Sequence, residues 1–232
     1  MSFLKELAES CIPLWEQSLE KPFLREMALG TLAPELFRQY TIDDSIYLRE
    51  YARVIAYAIY KSENMSQMQQ LYRFLNFINA TETVTRVRYL HLWGMDQDMV
   101  DRMQPREENL SYTSYMLQVA KEGELPEILM AILPCMLSYT YIGLKMVERY
   151  PDIRQSPYWE VIEEYISPFC LDCCQQWGSF AQQLCEDLEE SRKEALREIF
   201  RCSCRHEQAF WDMAYRPCDA QDRGTPIQKL IP

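Results

Sequence analysis

Glycine is scarce in this 232-residue chain, at 6 residues, and histidine scarcer still, at 2. Few glycines leave little room for loops that cradle phosphates with backbone N–H groups. Neither G-x-G-x-x-G nor G-x-x-x-x-G-K-[ST] occurs, so the usual nucleotide fingerprints are missing. A helical di-iron site wants Glu-x-x-His motifs on facing helices, but Arg88 and Ser203 stand three residues before His91 and His206. Haem most often takes a histidine ligand and finds no support here. Basic charge is also short, with 24 Lys and Arg against 35 Asp and Glu, a net charge of −11 and a pI near 4.8. Such a surface repels phosphates, which counts against a nucleic-acid partner. No run of about 18 apolar residues lacks polar interruption, so no membrane span is expected. The start, MSFLKELAES, reads as an amphipathic helix and lacks the basic and apolar regions of a leader. The nine cysteines are an odd number and read as reduced thiols of a cytoplasmic protein rather than a disulfide framework.

Helical periodicity runs through almost every segment, and no run alternates like a strand. With no Gly/Ser-rich linker, this predicts one all-α helical domain over residues 1–216 and a polar tail over 217–232. Residues 3–19 form a helix that Pro13 should bend, and Pro22 to Leu29 form a short one closed by Gly30. A long helix spans about 33–61 with Phe37, Tyr40, Tyr47, Leu48, Tyr51 and Ile55 on its apolar stripe. Residues 64–80 turn Leu71, Phe74 and Ile78 inward, and the pattern continues from Thr81 to Trp93. Ser111 is a candidate cap for a helix starting at Tyr112. The stretch Ile128 to Val147 is apolar on nearly every side, the mark of a buried helix, and carries Pro134 and Cys135 near its middle. Ser156 and Pro157 open a further helix, interrupted at Pro168, and the last runs from Ser191 to about Tyr215.

Three polar or reactive residues fall on faces expected to be buried. Asp44 lies in the long helix's stripe, Cys135 in the apolar helix, and Glu207 among Phe200, Cys204 and Trp211. A buried carboxylate is costly unless paired or hydrogen-bonded. A structural hydrogen bond and a functional role account equally for Asp44, whereas Asp43, about 100° around the helix, reads as an ordinary solvated charge. Most buried cysteines are small core hydrophobes. A thiol and two carboxylates together suit nucleophilic catalysis with acid/base help, burial raising a glutamate's pKa so that it can protonate a leaving group. Tyr47, Tyr112, Tyr139, Tyr165 and Phe210 can stack on a flat heteroaromatic substrate, although such tyrosines are more often only packing. Cys170-x-x-Cys173-Cys174 and Cys202-x-Cys204-x-His206 look like fragments of zinc sites. Within a helix those spacings point to different sides, so scattered packing cysteines are the simpler account and no metal is expected.

Taken in order, several segments carry a family resemblance. They are Pro22-Phe23-Leu24, Gly30-Thr31-Leu32, Asp44-x-x-Tyr47-Leu48, Tyr112-Thr113 and Leu133-Pro134-Cys135 with Tyr139 and Gly143. Tyr158 with Tyr165 and Glu207-x-x-Phe210-Trp211-x-Met213-Ala214 complete them. The chain resembles the TenA family, thiaminase II or aminopyrimidine aminohydrolase, over most of its length. The resemblance implies a haem oxygenase-like helical fold without haem or other cofactor, assembled as a homotetramer. It implies hydrolysis of 4-amino-5-aminomethyl-2-methylpyrimidine to the hydroxymethyl compound and ammonia in thiamin salvage; some members also cleave thiamin. Cys135 matches the family nucleophile and Glu207 the acid/base. Asp44 matches the residue that takes the pyrimidine nitrogens. Tyr112 and Tyr165 match tyrosines near the thiol, and Tyr47 and Phe210 aromatic walls, with Tyr139 a further substrate-binding candidate. The chain departs from the pattern at Asp43, at Glu82 and Arg86, and at Val161, where many members have Gln, Glu-x-x-x-His and Trp. Two other readings use a similar scaffold: a pyrimidine- or thiamin-binding protein without turnover, and a cofactor-free oxidase, for which the chain is poor in histidine.

Overall fold

Residues 2–77 and 83–218 are described by the computed structural model, and among them no strand occurs. The helices in chain order are α1 (Phe3–Leu19), α2 (Pro22–Leu29), α3 (Pro34–Tyr60), α4 (Met65–Phe77), α5 (Thr83–Leu92), α6 (Gln97–Asp101), α7 (Glu107–Glu122), α8 (Leu125–Arg149), α9 (Trp159–Tyr165), α10 (Pro168–Cys185) and α11 (Glu190–Ala214). The chain is all-α. Ile78 and Glu82 lie outside the described residues, as does the tail beyond Cys218.

The core is built around α8. Every side chain from Ile128 to Leu133 is fully buried. A helix that is apolar all round must be surrounded, and α8 packs against α1, α3, α7, α9, α10 and α11. Length and composition alone would let this helix cross a membrane, but 67% of its most apolar window is buried inside the bundle. Its start is fixed by a capping box between Glu124 and Glu127. Glu127 also takes both arms of Arg192 from α11, at 2.8 and 2.9 Å.

Helix α8 runs on through Pro134. Proline cannot donate to the preceding turn, and two outside donors serve carbonyls there. Tyr51 Oη on α3 donates to the Ile132 carbonyl at 3.0 Å, and Ser203 Oγ on α11 to that of Ala131 at 2.8 Å. Both flanking helices are thus tied to the turn that presents Cys135. On the other side, Gly143 permits close approach of α9. A Cβ there would lie 2.8 Å from Ile166 Cγ2 and 3.1 Å from Tyr165 Cβ. That contact sets Tyr165 edge-on to Tyr139, with ring centroids 5.1 Å apart.

Helix α1 contains Pro13. Two local expectations are corrected. Helix α7 begins at Glu107 after Arg106, so Ser111 is internal and caps nothing, and Tyr112 sits in the second turn. Asp43 is no solvated charge: it is fully buried, and Arg106 meets its Oδ2 through Nε at 2.9 Å and Nη2 at 2.7 Å. Helix α3 is covered on both sides, so a residue off its apolar stripe still points into protein. Asn109 Nδ2 on α7 donates to the Asp43 carbonyl at 2.7 Å and closes this side.

Candidate active site

A cleft with an empty volume of about 680 Å³, counted to its mouth, opens between α3, α5, α8 and α9. Asp44, Cys135, Tyr139 and Tyr165 stand on its walls. Glu207, Tyr112, Tyr47 and Phe210 are buried in the layer next to Cys135. All eight candidate residues therefore meet at one place, from five helices.

Cys135 is half-buried, at the turn after Pro134. Glu207, from α11, shares a hydrogen bond with its thiol. Tyr112 Oη on α7 donates to Glu207 Oε1 at 2.8 Å. Glu207 is 3% exposed, and burial pushes its carboxyl up to about 8, against the opposing hydrogen bond from Tyr112. It is therefore a neutral acid at neutral pH, beside a nucleophile. Burial likewise pushes Asp44 up to about 6, Arg86 opposing and Asp43 adding to the rise. Near neutrality Asp44 is mostly a carboxylate that faces the cleft, and its charge contributes to the rise at Glu207.

Aromatic rings line the space between these groups. Tyr47 lies 5.2 Å from Tyr112 and 5.6 Å from Phe210, centroid to centroid. Tyr139 rests on Trp211 at 4.8 Å. Tyr40 and Tyr165 share a hydrogen bond between hydroxyls at 2.9 Å. These partners hold the rings before any ligand arrives, which lowers the ordering cost of binding a flat molecule.

Several cleft residues were not singled out for a role from sequence. Thr85, Arg86 and Tyr89 from α5 line the outer wall, with Val161 and Glu164 from α9. Burial raises Glu164 to about 7, opposed by a hydrogen bond from Thr85. The spacing of Val161, Glu164 and Tyr165 places them on one helix face, which is the only sequence signal Glu164 carried. The cysteine fragments are bound up in packing: Thr140 Oγ1 is 3.3 Å from Cys170 Sγ and 3.2 Å from Cys174 Sγ. No group of three His, Cys, Asp or Glu able to hold a metal ion occurs among the described residues.

A model of the TENA/THI-4/PQQC family matches residues 9–217. The chain belongs to this family. An aminopyrimidine aminohydrolase from Halalkalibacterium halodurans is 30% identical, the match covering 93% of this chain and 96% of that one. Another from Helicobacter pylori is 28% identical over 93% of this chain and all of its own length. Among solved structures, a TenA homologue from P. horikoshii aligns with a TM-score of 0.82 at 27% identity, covering 94% of this chain and 100% of that one. A domain from Shewanella denitrificans with a haem oxygenase-like fold aligns with a TM-score of 0.71 at 15% identity, covering 96% and 98%. This second likeness shows the fold, which is haem oxygenase-like.

Proposed function

We propose that this cleft hydrolyses an aminopyrimidine at its exocyclic methylene by way of a covalent adduct on Cys135. The chain is an aminopyrimidine aminohydrolase, thiaminase II, of thiamin salvage, as its family and its relatives of that name support. The observation that carries the mechanism is the pairing of Cys135 with a protonated Glu207 inside an aromatic slot that Asp44 opens onto.

With 4-amino-5-aminomethyl-2-methylpyrimidine in the slot, the Asp44 carboxylate accepts from the amino group and fixes the ring's orientation. The Cys135 thiol adds across the electron-poor ring, its sulfur to carbon and its proton to a ring nitrogen, which returns the proton to sulfur when the carbon–sulfur bond breaks. The carbon–nitrogen bond at the methylene then breaks, and ammonia leaves with a proton from Glu207. Water adds to the methylene and returns a proton to the Glu207 carboxylate. The carbon–sulfur bond breaks last and frees the hydroxymethyl product. The net reaction consumes one water and releases one ammonia. The aromatic walls exclude bulk water until the amine has gone. We take residues 1–216 as one helical domain with 217–232 as its tail. We assign the enzyme to the cytoplasm, where its nine cysteines suit a reducing compartment. We also assign it a homotetrameric state, for which exposed Tyr60, Met65 and Tyr72 offer apolar contact surface.

The test is to incubate the protein with the aminomethylpyrimidine, and separately with thiamin, and follow products by mass spectrometry beside Cys135→Ser. Wild type yields the hydroxymethylpyrimidine with one ammonia. The variant binds the pyrimidine, keeps its helical circular dichroism and yields none. Turnover by the variant at the wild-type rate overturns the covalent step, and binding by wild type without product overturns the reaction.

A further inference from the structure

Arg86 stands on α5 at the outer wall of the cleft, where α5 packs against the helix that carries Asp44. Of the described residues lining the cleft it is the one basic side chain. Its Nε and Nη1 are buried, and among the described residues no group accepts a hydrogen bond from them. Other arginines of the bundle are committed to carboxylates: Arg106 to Asp43, Arg88 to Glu160, Arg192 to Glu127. A guanidinium cannot shed its proton, and burying donors unserved costs free energy that a structure ordinarily avoids. An arginine kept in that condition on a cleft wall calls for a use.

We propose that Arg86 is a positioning residue for this cleft, its guanidinium charge holding Asp44 as the open carboxylate that takes the aminopyrimidine. The inference rests on the reaction given above and adds a residue to it.

The charges around Asp44 leave Arg86 without a substitute. Asp43 on the same helix repels it, although Arg106 of α7 meets most of that charge. Tyr40 of α3, Tyr139 of α8, Glu164 of α9 and Glu207 of α11 all feel the Asp44 charge as unfavourable. Arg86 is the one group acting to keep it ionised. The ionised form matters because an aminopyrimidine presents N–H donors. A carboxylate offers only acceptors, whereas a protonated acid turns one oxygen into a competing donor. The same charge helps Glu207 keep its proton for the departing amine. One cation on α5 thereby sets the state of two acids on other helices, without touching the substrate.

The test compares wild type, Arg86→Gln, Arg86→Met and Arg86→Lys by kcat/KM against pH. With Arg86→Gln the acid limb moves up by about one unit, so kcat/KM falls about fivefold near pH 6, about tenfold well below it, and less than about threefold near pH 8. The loss lies in KM, and Arg86→Lys restores most of it. Arg86→Met, unbranched and apolar, keeps the packing and gives the same shift should the glutamine variant fail to fold. An unmoved acid limb, or an equal loss at every pH, overturns the proposal by making Arg86 a packing contact. Absence of turnover in wild type sinks the reaction itself, whereas turnover with an unmoved limb in the variants sinks only the role of Arg86.

Discussion

Asp43 and Asp44 are neighbours in sequence and opposites in surroundings. On one side of α3, Asp43 is sealed against α7 by Arg106 and Asn109. On the other, Asp44 opens onto the cleft with its carboxyl raised to about 6. The sealed side has its charges paired within the protein, with Asn109 Oδ1 left buried without a donor among the described residues and no part in lining the cleft. The open side turns an acid and a cation towards the cleft, beside the Cys135 thiol. Unmatched polarity costs stability, and a fold that turns charges to a cleft on one side of a helix while pairing them on the other has separated binding from cohesion. The comparison can be broken in either direction: a change on the sealed side that alters turnover per folded molecule, or one on the open side that costs mainly stability.

The largest expected effect is on the open side. Glu207→Gln keeps the shape and removes the proton donor, so kcat falls about 10²- to 10⁴-fold while the helical content stays. The variant also tests the pH dependence of stability. Glu207 keeps its proton in the folded state up to about 8, whereas in the unfolded chain it releases it near 4.5. Between those values the folded state binds the extra proton, so stability falls as pH rises, on the order of several kcal/mol in all. Urea titrations across that window should show the decline in wild type and a flatter profile in Glu207→Gln. A decline of equal size in both sinks the assignment of the raised carboxyl.

Next in size is the sealed side. Arg106→Met strands the Asp43 charge in the interior and costs about 3–5 kcal/mol. Asp43→Asn with Arg106→Met recovers most of that cost, because a neutral amide is far cheaper to bury. In both variants kcat per folded molecule, measured at a temperature where they remain folded, stays within about twofold of wild type. A fall in kcat that follows the charge instead of the fold would show the two sides of α3 to be coupled, and the comparison would fail.

How far such a site is legible in the sequence is shown by the same two residues. Asp44 stood out because a carboxylate interrupted an apolar stripe, and periodicity reads stripes well. Asp43 was misread as solvated because periodicity tells which face a residue occupies, not what packs on that face. Helix α7 covers it, and the start of α7 was itself misplaced: Ser111 resembled a cap, whereas the helix begins after Arg106, whose side chain turns inward to Asp43 and makes no cap bond. Cys135 and Glu207 were legible as oddities in apolar helices, and the family resemblance supplied the expectation that they meet. Arg86 was marked only as a departure from the family pattern, and Glu164 carried no mark. An arginine on a short polar helix and a glutamate beside another glutamate look like surface, and only the approach of α5 and α9 to α3 makes them walls of a cleft.

The smallest expected effect sharpens the comparison most. Tyr112 is fully buried beside the open site, yet its one polar atom is spent on Glu207 Oε1 at 2.8 Å. Its ring lies parallel to that of His206, 4° apart in plane and 5.1 Å between centroids, and phenylalanine can keep that packing. Tyr112→Phe therefore removes a single donor and little else, costing about 1 kcal/mol of stability. Donation from a phenol favours the charged carboxylate, so its loss raises the proton affinity of Glu207 further. The active form of Glu207 is the protonated one, and the basic limb of kcat, near 8 in wild type, should move upward by a fraction of a unit, with kcat itself reduced severalfold. A limb that moves downward, or a variant whose entire loss is in folding, would place Tyr112 with Asp43 among the groups that hold the bundle together rather than with Asp44 among those that serve the cleft.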